Sequence, residues 1–217
     1  MFQTNGIQLK WLGHDTFRIS YENKNIYIDP FRVSATAYDA NIVLISHNHY
    51  DHLSIEDLNK VINENTIIVC GEECIESLKN INVKDTIIVH PDDKIEVMGM
   101  LIEAVNSYNI NKSFHPKSAT RVGFIITINN TRIYHAGDTD LIPEMKSIKP
   151  DIALLPVSGT YVMNADEAAL AVNEYLKPKI NAIPMHYGAI VGSIEDAKRF
   201  KESVKVCDVV LLEKQVD

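Results

Sequence analysis

The segment that most constrains the fold is the apolar run Ile42–Ile45, which leads almost directly into the polar segment His47–His52. An uninterrupted apolar run of mostly β-branched residues, bounded by polar residues, is typical of a buried strand. Three imidazoles and one carboxylate then fall within the six positions of His47–His52. The sequence therefore predicts a core strand followed by a loop rich in imidazole and carboxylate groups.

The side chains of this loop are of the kinds that bind divalent cations. Neutral imidazole and carboxylate suit zinc, iron or manganese. The chain has eight histidines in 217 residues, so three within six positions are hard to explain as an ordinary polar surface loop. The candidate metal ligands in this segment are His47, His49, Asp51 and His52.

The spacing His-x-His-x-Asp-His after a hydrophobic strand resembles the signature of the metallo-β-lactamase superfamily. The resemblance continues at Tyr134–Asp140 and Ile183–Gly188, and the early Trp11–His14 and the pair Asp29-Pro30 also fit it. Together these motifs look like the lactonase-like branch of metal-dependent hydrolases rather than the antibiotic-degrading enzymes. The resemblance spans nearly the whole chain.

Composition and charge limit the domain number, the binding partners and the compartment that can be expected. The chain has no linker-like or repetitive tract and is 46% hydrophobic, which predicts a single domain over residues 1–217. A formal net charge of −8 disfavours nucleic-acid binding, so an RNA-processing nuclease is the weaker reading. The absence of a secretory leader and of a bilayer-length apolar run predicts a cytoplasmic protein with no membrane partner. Cys70, Cys74 and Cys207 are expected to be reduced packing thiols.

Strand-like and helix-like segments alternate along the chain and predict an α/β fold. The resemblance implies a four-layer αββα sandwich of two mixed sheets flanked by helices. The residues between Asn106 and Arg121 have no hydrophobic period, and long unpatterned loops are often functional. Strands are expected at 7–12, 16–21, 25–29, 42–45, 66–70, 86–89, 94–97, 101–104, 122–128, 132–135, 152–155, 182–185 and 209–212. The first three strands are expected to form an antiparallel sheet, and Asn129-Asn130 is expected to form a primed turn between two strands. Helices are expected at 73–79, 143–148 and 166–176, after a cap at Ser54, and at 194–200 after a cap at Ser193.

The resemblance also implies how ligands are divided between two metals. His47 and His49 would belong to the first metal, and Asp51 and His52 to the second. Asp138 would bridge the two, and His186 would complete the second. Taken alone, Asp138 could as well be an ordinary turn residue as a metal ligand. His186 could likewise be a packed loop histidine.

The third ligand of the first metal is where this chain departs from the family pattern. Most members have a histidine in the loop after the middle strands, whereas the corresponding loop here reads Val105-Asn106-Ser107-Tyr108-Asn109. Asn109 is expected at that position, and His115 is the competing candidate. An amide oxygen binds more weakly than imidazole, which would loosen the first metal or favour manganese over zinc. One or two divalent ions per chain are therefore expected, zinc or manganese first and iron as a further candidate.

The expected chemistry is hydrolysis. A divalent metal lowers the pKa of bound water toward about 7, and Asp51 would orient that water and accept its proton. Asp51 and His186 are thus the candidate catalytic residues. His14, Asp29 and Asp140 are candidate partners of the metal ligands.

The substrate is expected to be a small anionic ester, lactone or phosphodiester. The polar loop carries cations that would bind an anionic group, although a solvated basic loop is the plainer reading of them. The candidate substrate contacts are His14, His115, Lys117 and Tyr161, with Lys112 and Arg121 nearby in the sequence.

Two other functions are compatible with the ligand pattern. One is an iron-dependent redox enzyme on the same scaffold, although His49 replaces the carboxylate of the di-iron branch. The other is a non-catalytic metal-binding module whose site has decayed at Asn109. The sequence does not determine the oligomeric state, and a homo-oligomer is compatible with it.

Overall fold

The computed structural model describes residues 1–216 and belongs to the α/β class. It consists of two compact units, one of residues 1–90 with 212–216 and the other of residues 91–211. Each unit contains one mixed seven-stranded sheet and its own helices. The predicted α/β class with two mixed sheets flanked by helices is confirmed, and the single domain stays a prediction.

The sheet of the first unit follows the order of the chain, so each strand pairs with the next one in sequence. The first four strands form an antiparallel meander, as predicted, and the last three are added in parallel. The first two of these parallel strands are buried at nearly every position, whereas the last, at the edge of the sheet, is partly exposed. The strands are β1 (Phe2–Thr4), β2 (Ile7–Gly13), β3 (Thr16–Tyr21), β4 (Lys24–Ile28), β5 (Ile42–Ile45), β6 (Ile67–Gly71) and β7 (Asp85–Val89).

The helices of the first unit are α1 (Ile55–Val61) and the short α2 (Ile75–Leu78), which a 3₁₀ turn precedes. Ser54 caps α1, since its hydroxyl accepts a hydrogen bond from the backbone N–H of Asp57. The apolar face of α1 packs into one cluster with buried residues of β5 and β6. This packing fixes the helix that directly follows the histidine-rich loop.

The sheet of the second unit repeats the same plan. Its first four strands are antiparallel and its last three are parallel, and again each strand pairs with the next one in the chain. Asn129 and Asn130 connect β10 to β11 with φ of 46° and 59°, the primed turn that the dipeptide predicted. The strands are β8 (Lys94–Val97), β9 (Met100–Asn106), β10 (Val122–Ile128), β11 (Thr131–His135), β12 (Ile152–Pro156), β13 (Asn181–Met185) and β14 (Asp208–Val209).

Three elements of the second unit differ from the sequence expectation, and one of them is the helix expected at 143–148, which is a 3₁₀ turn at Pro143–Ser147. The helix expected at 166–176 is α-helical only at α3 (Ala165–Leu170) and continues as a π-helix over Ala171–Leu176. The last strand was expected to run to Leu212 but ends at Val209, because it pairs with β13 over only two residues. Residues 212–216 belong to the first unit, where the Gln215 backbone N–H donates to the Trp11 carbonyl at 2.9 Å.

The remaining helices of this unit are short except for α4 (Ile194–Ser203), which Ser193 caps as predicted. The 3₁₀ turns are Lys117–Ala119 and Pro143–Ser147. Within residues 1–216, none of the helices combines the length and the apolar composition that a bilayer crossing requires. The three cysteines are free thiols, and Cys70 and Cys74 are buried, as expected for packing residues.

Candidate metal-binding clusters

His47 and His52, at the end of β5, are buried and have one ring nitrogen fixed by an oxygen partner. His52 Nδ1 lies 2.8 Å from Asp29 Oδ2, and His47 Nδ1 lies 3.0 Å from Ser46 Oγ. The Ser46 hydroxyl donates its own proton to Asp29 at 2.6 Å, so it accepts from His47. Both histidines therefore carry the proton on Nδ1 and the lone pair on Nε2. This is the tautomer that binds a metal through Nε2.

Asp29 organises this group from the end of β4. Its carboxylate is fully buried and also accepts the backbone N–H of Ser46 at 2.7 Å. The residue has a positive φ of 45°, in the left-handed region, which is sterically costly for most residues and less so for Asp. Asp29 thus fixes both the start of the histidine-rich loop and the orientation of His52.

The other candidates of this loop lie beside these two histidines. The rings of His47 and His49 are 4.5 Å apart, and their ligand atoms lie within 4.8 Å of each other. Asp51 Oδ2 is 3.0 Å from His14 Nε2 and 3.9 Å from His52 Nε2. We call His47, His49, Asp51 and His52 the first-unit cluster.

His14 and Asp15 occupy the tight turn between β2 and β3. His14 is buried with a φ of 50°, and the Trp11 indole N–H donates to its carbonyl at 2.8 Å. Asp15 is fully buried, with Oδ2 3.9 Å from His52 Nδ1. Sequence reasoning treated Asp15 only as a turn residue and missed it as part of this group. Its position next to His14 was the one available signal.

In the second unit, one carboxylate oxygen lies close to two histidines. Asp138 Oδ2 is 3.2 Å from His115 Nε2 and 3.3 Å from His186 Nε2. His186 Nδ1 lies 2.8 Å from Ser158 Oγ, a partner that the sequence did not reveal. All three of these cluster residues are at most 4% exposed. We call His115, Asp138 and His186 the second-unit cluster.

Asp138 and His186 each follow a buried strand of the second sheet, as predicted. Asp138 comes three residues after β11, and a Cβ at Gly123 of β10 would lie 2.7 Å from the backbone oxygens of His135 and Ala136. Glycine therefore lets β10 approach the segment that leads to Asp138. His186 directly follows β13 with a φ of 58°. Such left-handed backbone at non-glycine residues is concentrated at functional sites.

The structure separates the roles of Asn109 and His115. The Asn109 side-chain oxygen accepts the His115 backbone N–H at 3.0 Å and lies 3.2 Å from His115 Nδ1, while its amide N–H donates to the Tyr161 carbonyl. The His115 proton is thereby placed on Nδ1, and Nε2 points to Asp138. Which of the two residues binds the metal stays a prediction. The geometry favours His115, with Asn109 as its hydrogen-bond acceptor.

Metal-binding measurements on two variants test this assignment. Asn109→Ala is expected to weaken metal affinity about 10- to 100-fold, since it removes a partner that orients a ligand. His115→Ala is expected to weaken it by a larger factor, because it removes the ligand itself. Competition with a chromophoric chelator measures both, and His90→Ala, at a half-exposed histidine, is the control. The reverse order of the two effects would restore Asn109 as the ligand.

The cations of the 106–121 loop are engaged with carboxylates or backbone. Lys112 forms an ion pair with Asp140, whose other oxygen accepts the Ile110 backbone N–H. Asp140 therefore supports the loop and is not seen as the partner of a metal-ligating histidine. Lys117 pairs with Glu144 at 2.8 Å, and this hydrogen bond raises the pKa of Lys117 above its usual value.

Tyr161 was expected near the substrate, and Tyr187 lies next to the candidate ligand His186. Tyr161 contributes its carbonyl to Asn109, and its ring packs edge-on against Phe114 at 4.7 Å. Tyr187 follows His186, and burial raises its pKa to about 12, so the phenol stays neutral at physiological pH. The Tyr187 phenol therefore adds no charge beside His186.

The donor set fits a divalent metal of the zinc, iron or manganese type. His47, His52, His115 and His186 each hold Nδ1 against an oxygen, which directs Nε2 as the ligand atom. Carboxylates accompany the imidazoles in both clusters, and neither cluster contains a thiolate. This combination of nitrogen and oxygen donors is common to those three metals.

Comparison with known proteins identifies the family. Residues 8–186 match the family model described as a β-lactamase superfamily domain. The UPF0173 metal-dependent hydrolase of Methanopyrus kandleri is 31% identical, with 95% of this chain and 97% of that protein covered. The chain belongs to the metal-dependent hydrolases of the β-lactamase superfamily.

Two further similar proteins support the same family. The UPF0173 metal-dependent hydrolase of Thermoplasma acidophilum is 34% identical over 90% of this chain and 89% of its own length. A crystal structure from Parabacteroides distasonis, described as that of a metal-dependent hydrolase, superposes with a TM-score of 0.86 at 32% identity. It covers 99% of this chain and 97% of the other. The fold and the family that the motifs implied are confirmed.

Proposed function

We propose that this hydrolase cleaves a small-molecule ester, lactone or phosphodiester with one or two divalent metal ions. The observation that carries the proposal is the shared arrangement of four buried histidines, whose Nδ1 atoms are each held by an oxygen. The family resemblance supports the ligand set, with His115 in place of Asn109. The ligands are His47, His49, Asp51 and His52 of the first unit and His115, Asp138 and His186 of the second.

The protein's own groups would then hold and move one proton. When bound, the metal supplies Lewis acidity that favours ionisation of water and stabilises negative charge on the substrate. Asp51 accepts the proton of the attacking water, and its contact with His14 Nε2 at 3.0 Å keeps the carboxylate in a fixed position. Ser158 Oγ, 2.8 Å from His186 Nδ1, holds the His186 ring with Nε2 toward Asp138. Zinc or manganese is the proposed metal, with iron as the third candidate.

Metal removal and replacement test this function. Protein stripped with a strong chelator is expected to lose hydrolysis of a 4-nitrophenyl ester, a γ-lactone and bis-4-nitrophenyl phosphate. Addition of zinc, manganese or ferrous ion to separate samples is expected to restore activity on at least one substrate, in proportion to the metal counted per chain. Elemental analysis accompanies every assay. Full activity in the stripped protein, or no activity on any of the three substrates with stoichiometric metal, would contradict the proposal.

A further inference from the structure

The segment that carries His115 is a closed lobe of residues 109–115. Its base is fixed by two hydrogen bonds, one from the Asn109 backbone N–H to the His115 carbonyl at 2.7 Å and one from the His115 N–H to the Asn109 side chain. The tip, residues 110–114, is thus held directly next to a member of the second-unit cluster.

The tip exposes two large apolar side chains. Ile110 is 53% exposed and Phe114 is 47% exposed. The Phe114 ring packs edge-on against Tyr161, whose carbonyl is bound by Asn109, so the aromatic pair is tied to the base of the lobe. Apolar side chains grouped beside a polar cluster commonly mark a binding surface, whereas scattered ones do not.

The charges of the same loop are already paired. Lys112 binds Asp140, Lys117 binds Glu144, and the Arg121 guanidinium donates to the Phe114 carbonyl at 3.1 Å. An incoming anion would have to compete with these partners. The lobe therefore offers apolar contact more readily than a free positive charge.

The histidine-rich loop of the first unit shows the same feature independently. Tyr50, between the candidate ligands His49 and Asp51, is 67% exposed and packs edge-on against Phe31 at 6.0 Å between ring centres. Each of the two units thus presents an exposed aromatic side chain directly beside a candidate metal ligand.

We infer that the substrate of this hydrolase carries an apolar acyl or aryl group, which binds against Phe114 and Ile110. The inference rests on the proposed function for the reacting centre and replaces the expected anionic group with an apolar one. Phe114 and Ile110 act here as specificity residues, since they contact the non-reacting part of the substrate.

A binding measurement tests the inference without turnover. The probes are hexanohydroxamate and acetohydroxamate, metal-binding groups that differ only in tail length, titrated into zinc-loaded protein by calorimetry. The wild type is expected to bind the longer probe about tenfold more tightly, as extra methylenes in an apolar site provide. Phe114→Ala is expected to bring this ratio close to one, and Phe114→Leu to keep most of it. Leu170→Ala, at a side chain that is also 47% exposed, is the matched control with the wild-type ratio.

Turnover distinguishes this inference from the proposed function. The substrates are 4-nitrophenyl hexanoate, 4-nitrophenyl acetate and the mono-4-nitrophenyl ester of adipate, which has the hexanoate length with a terminal carboxylate. The hexanoate ester is expected to have the highest kcat/KM, and Phe114→Ala to remove its advantage over acetate. The inference would be overturned if the adipate ester had the highest kcat/KM, or if Phe114→Ala kept the wild-type ratio of kcat/KM between hexanoate and acetate. Neither result would contradict metal-dependent hydrolysis.

Two further outcomes separate the claims. Hydroxamate discrimination that depends on Phe114, without metal-dependent cleavage of any ester, would support the apolar surface and contradict ester hydrolysis. No measurable hydroxamate binding to zinc-loaded protein would overturn the inference. Thermal melting checks the fold of each variant, and Ile110→Ala takes the place of Phe114→Ala if the latter does not fold.

Discussion

Replacement of Asp138 by alanine is expected to lower kcat/KM about a thousandfold while the protein stays folded. The Asp138 carboxylate oxygen lies within 3.3 Å of Nε2 of both His115 and His186, so it is common to the whole second-unit cluster. Loss of this oxygen removes a negative donor that no neighbouring side chain of the cluster can replace. The bound metal per chain is expected to fall in parallel, measured by elemental analysis after gel filtration.

The control for Asp138→Ala is Asp208→Asn, which changes an exposed carboxylate of the same unit. It is expected to keep wild-type activity and metal content. Circular dichroism and thermal melting show whether each variant is folded. If Asp138→Ala keeps more than about a tenth of the wild-type kcat/KM with wild-type metal content, Asp138 does not have the role proposed for it.

Asp29→Ala is expected to have the largest effect on stability, a loss of about 3–5 kcal/mol in the free energy of unfolding. The Asp29 carboxylate is fully buried and accepts three hydrogen bonds, two from Ser46 and one from His52. Without it, the Ser46 backbone N–H, the Ser46 hydroxyl and His52 Nδ1 all lose this buried acceptor. The orientation of His52 is lost as well, so metal affinity is expected to fall about 10- to 100-fold.

Asp39→Ala is the matched control for Asp29→Ala. Asp39 is a carboxylate of the same unit that accepts from Arg18, Asn25 and Tyr27, but its side chain is 32% exposed. Its replacement is expected to cost about 1 kcal/mol, because water can solvate the donors left behind. Urea unfolding of the metal-free protein and chelator competition of the loaded protein measure the two effects. Equal unfolding midpoints for the two variants would contradict the role given to Asp29.

The sequence predicted best those features that depend on neighbouring residues. The run Ile42–Ile45 and the segment His47–His52 are contiguous, so both the strand and its ligand loop could be read directly. The cap at Ser54 and the turn at Asn129-Asn130 also depend on a few adjacent positions, and both are present. Asp29 was anticipated as an acceptor because a histidine ligand needs a partner for its second nitrogen, although the sequence did not tell which histidine it would hold.

Features that depend on distant residues were harder to predict. Lys112 and Lys117 looked available for an anion because their partners, Asp140 and Glu144, lie 28 and 27 positions further along the chain. Ser46 and Ser158 could not be distinguished from ordinary serines, since only the folded chain places their hydroxyls against histidine rings.

The positions of Asn109 and His115 relative to Asp138 were hard to predict for a similar reason. Both lie in a loop without hydrophobic period, and the family pattern favoured the position nearer to β9. The hydrogen bonds that close the 109–115 lobe bring His115 back beside Asn109, so the residue six positions later is the one that lies 3.2 Å from Asp138. No spacing rule gives the conformation of such a loop.

The strand order of the two sheets has a consequence for how the protein is made. Because every strand pairs only with the strands before and after it in the chain, each sheet can grow by one strand at a time as the polypeptide leaves the ribosome. Little loop-closure entropy opposes each addition. The hydrogen bond of Gln215 to Trp11 joins residues that are far apart in the sequence, so it can form only after residue 215 has been synthesised. The turn that carries His14 is therefore among the last parts of the molecule to gain its full set of contacts.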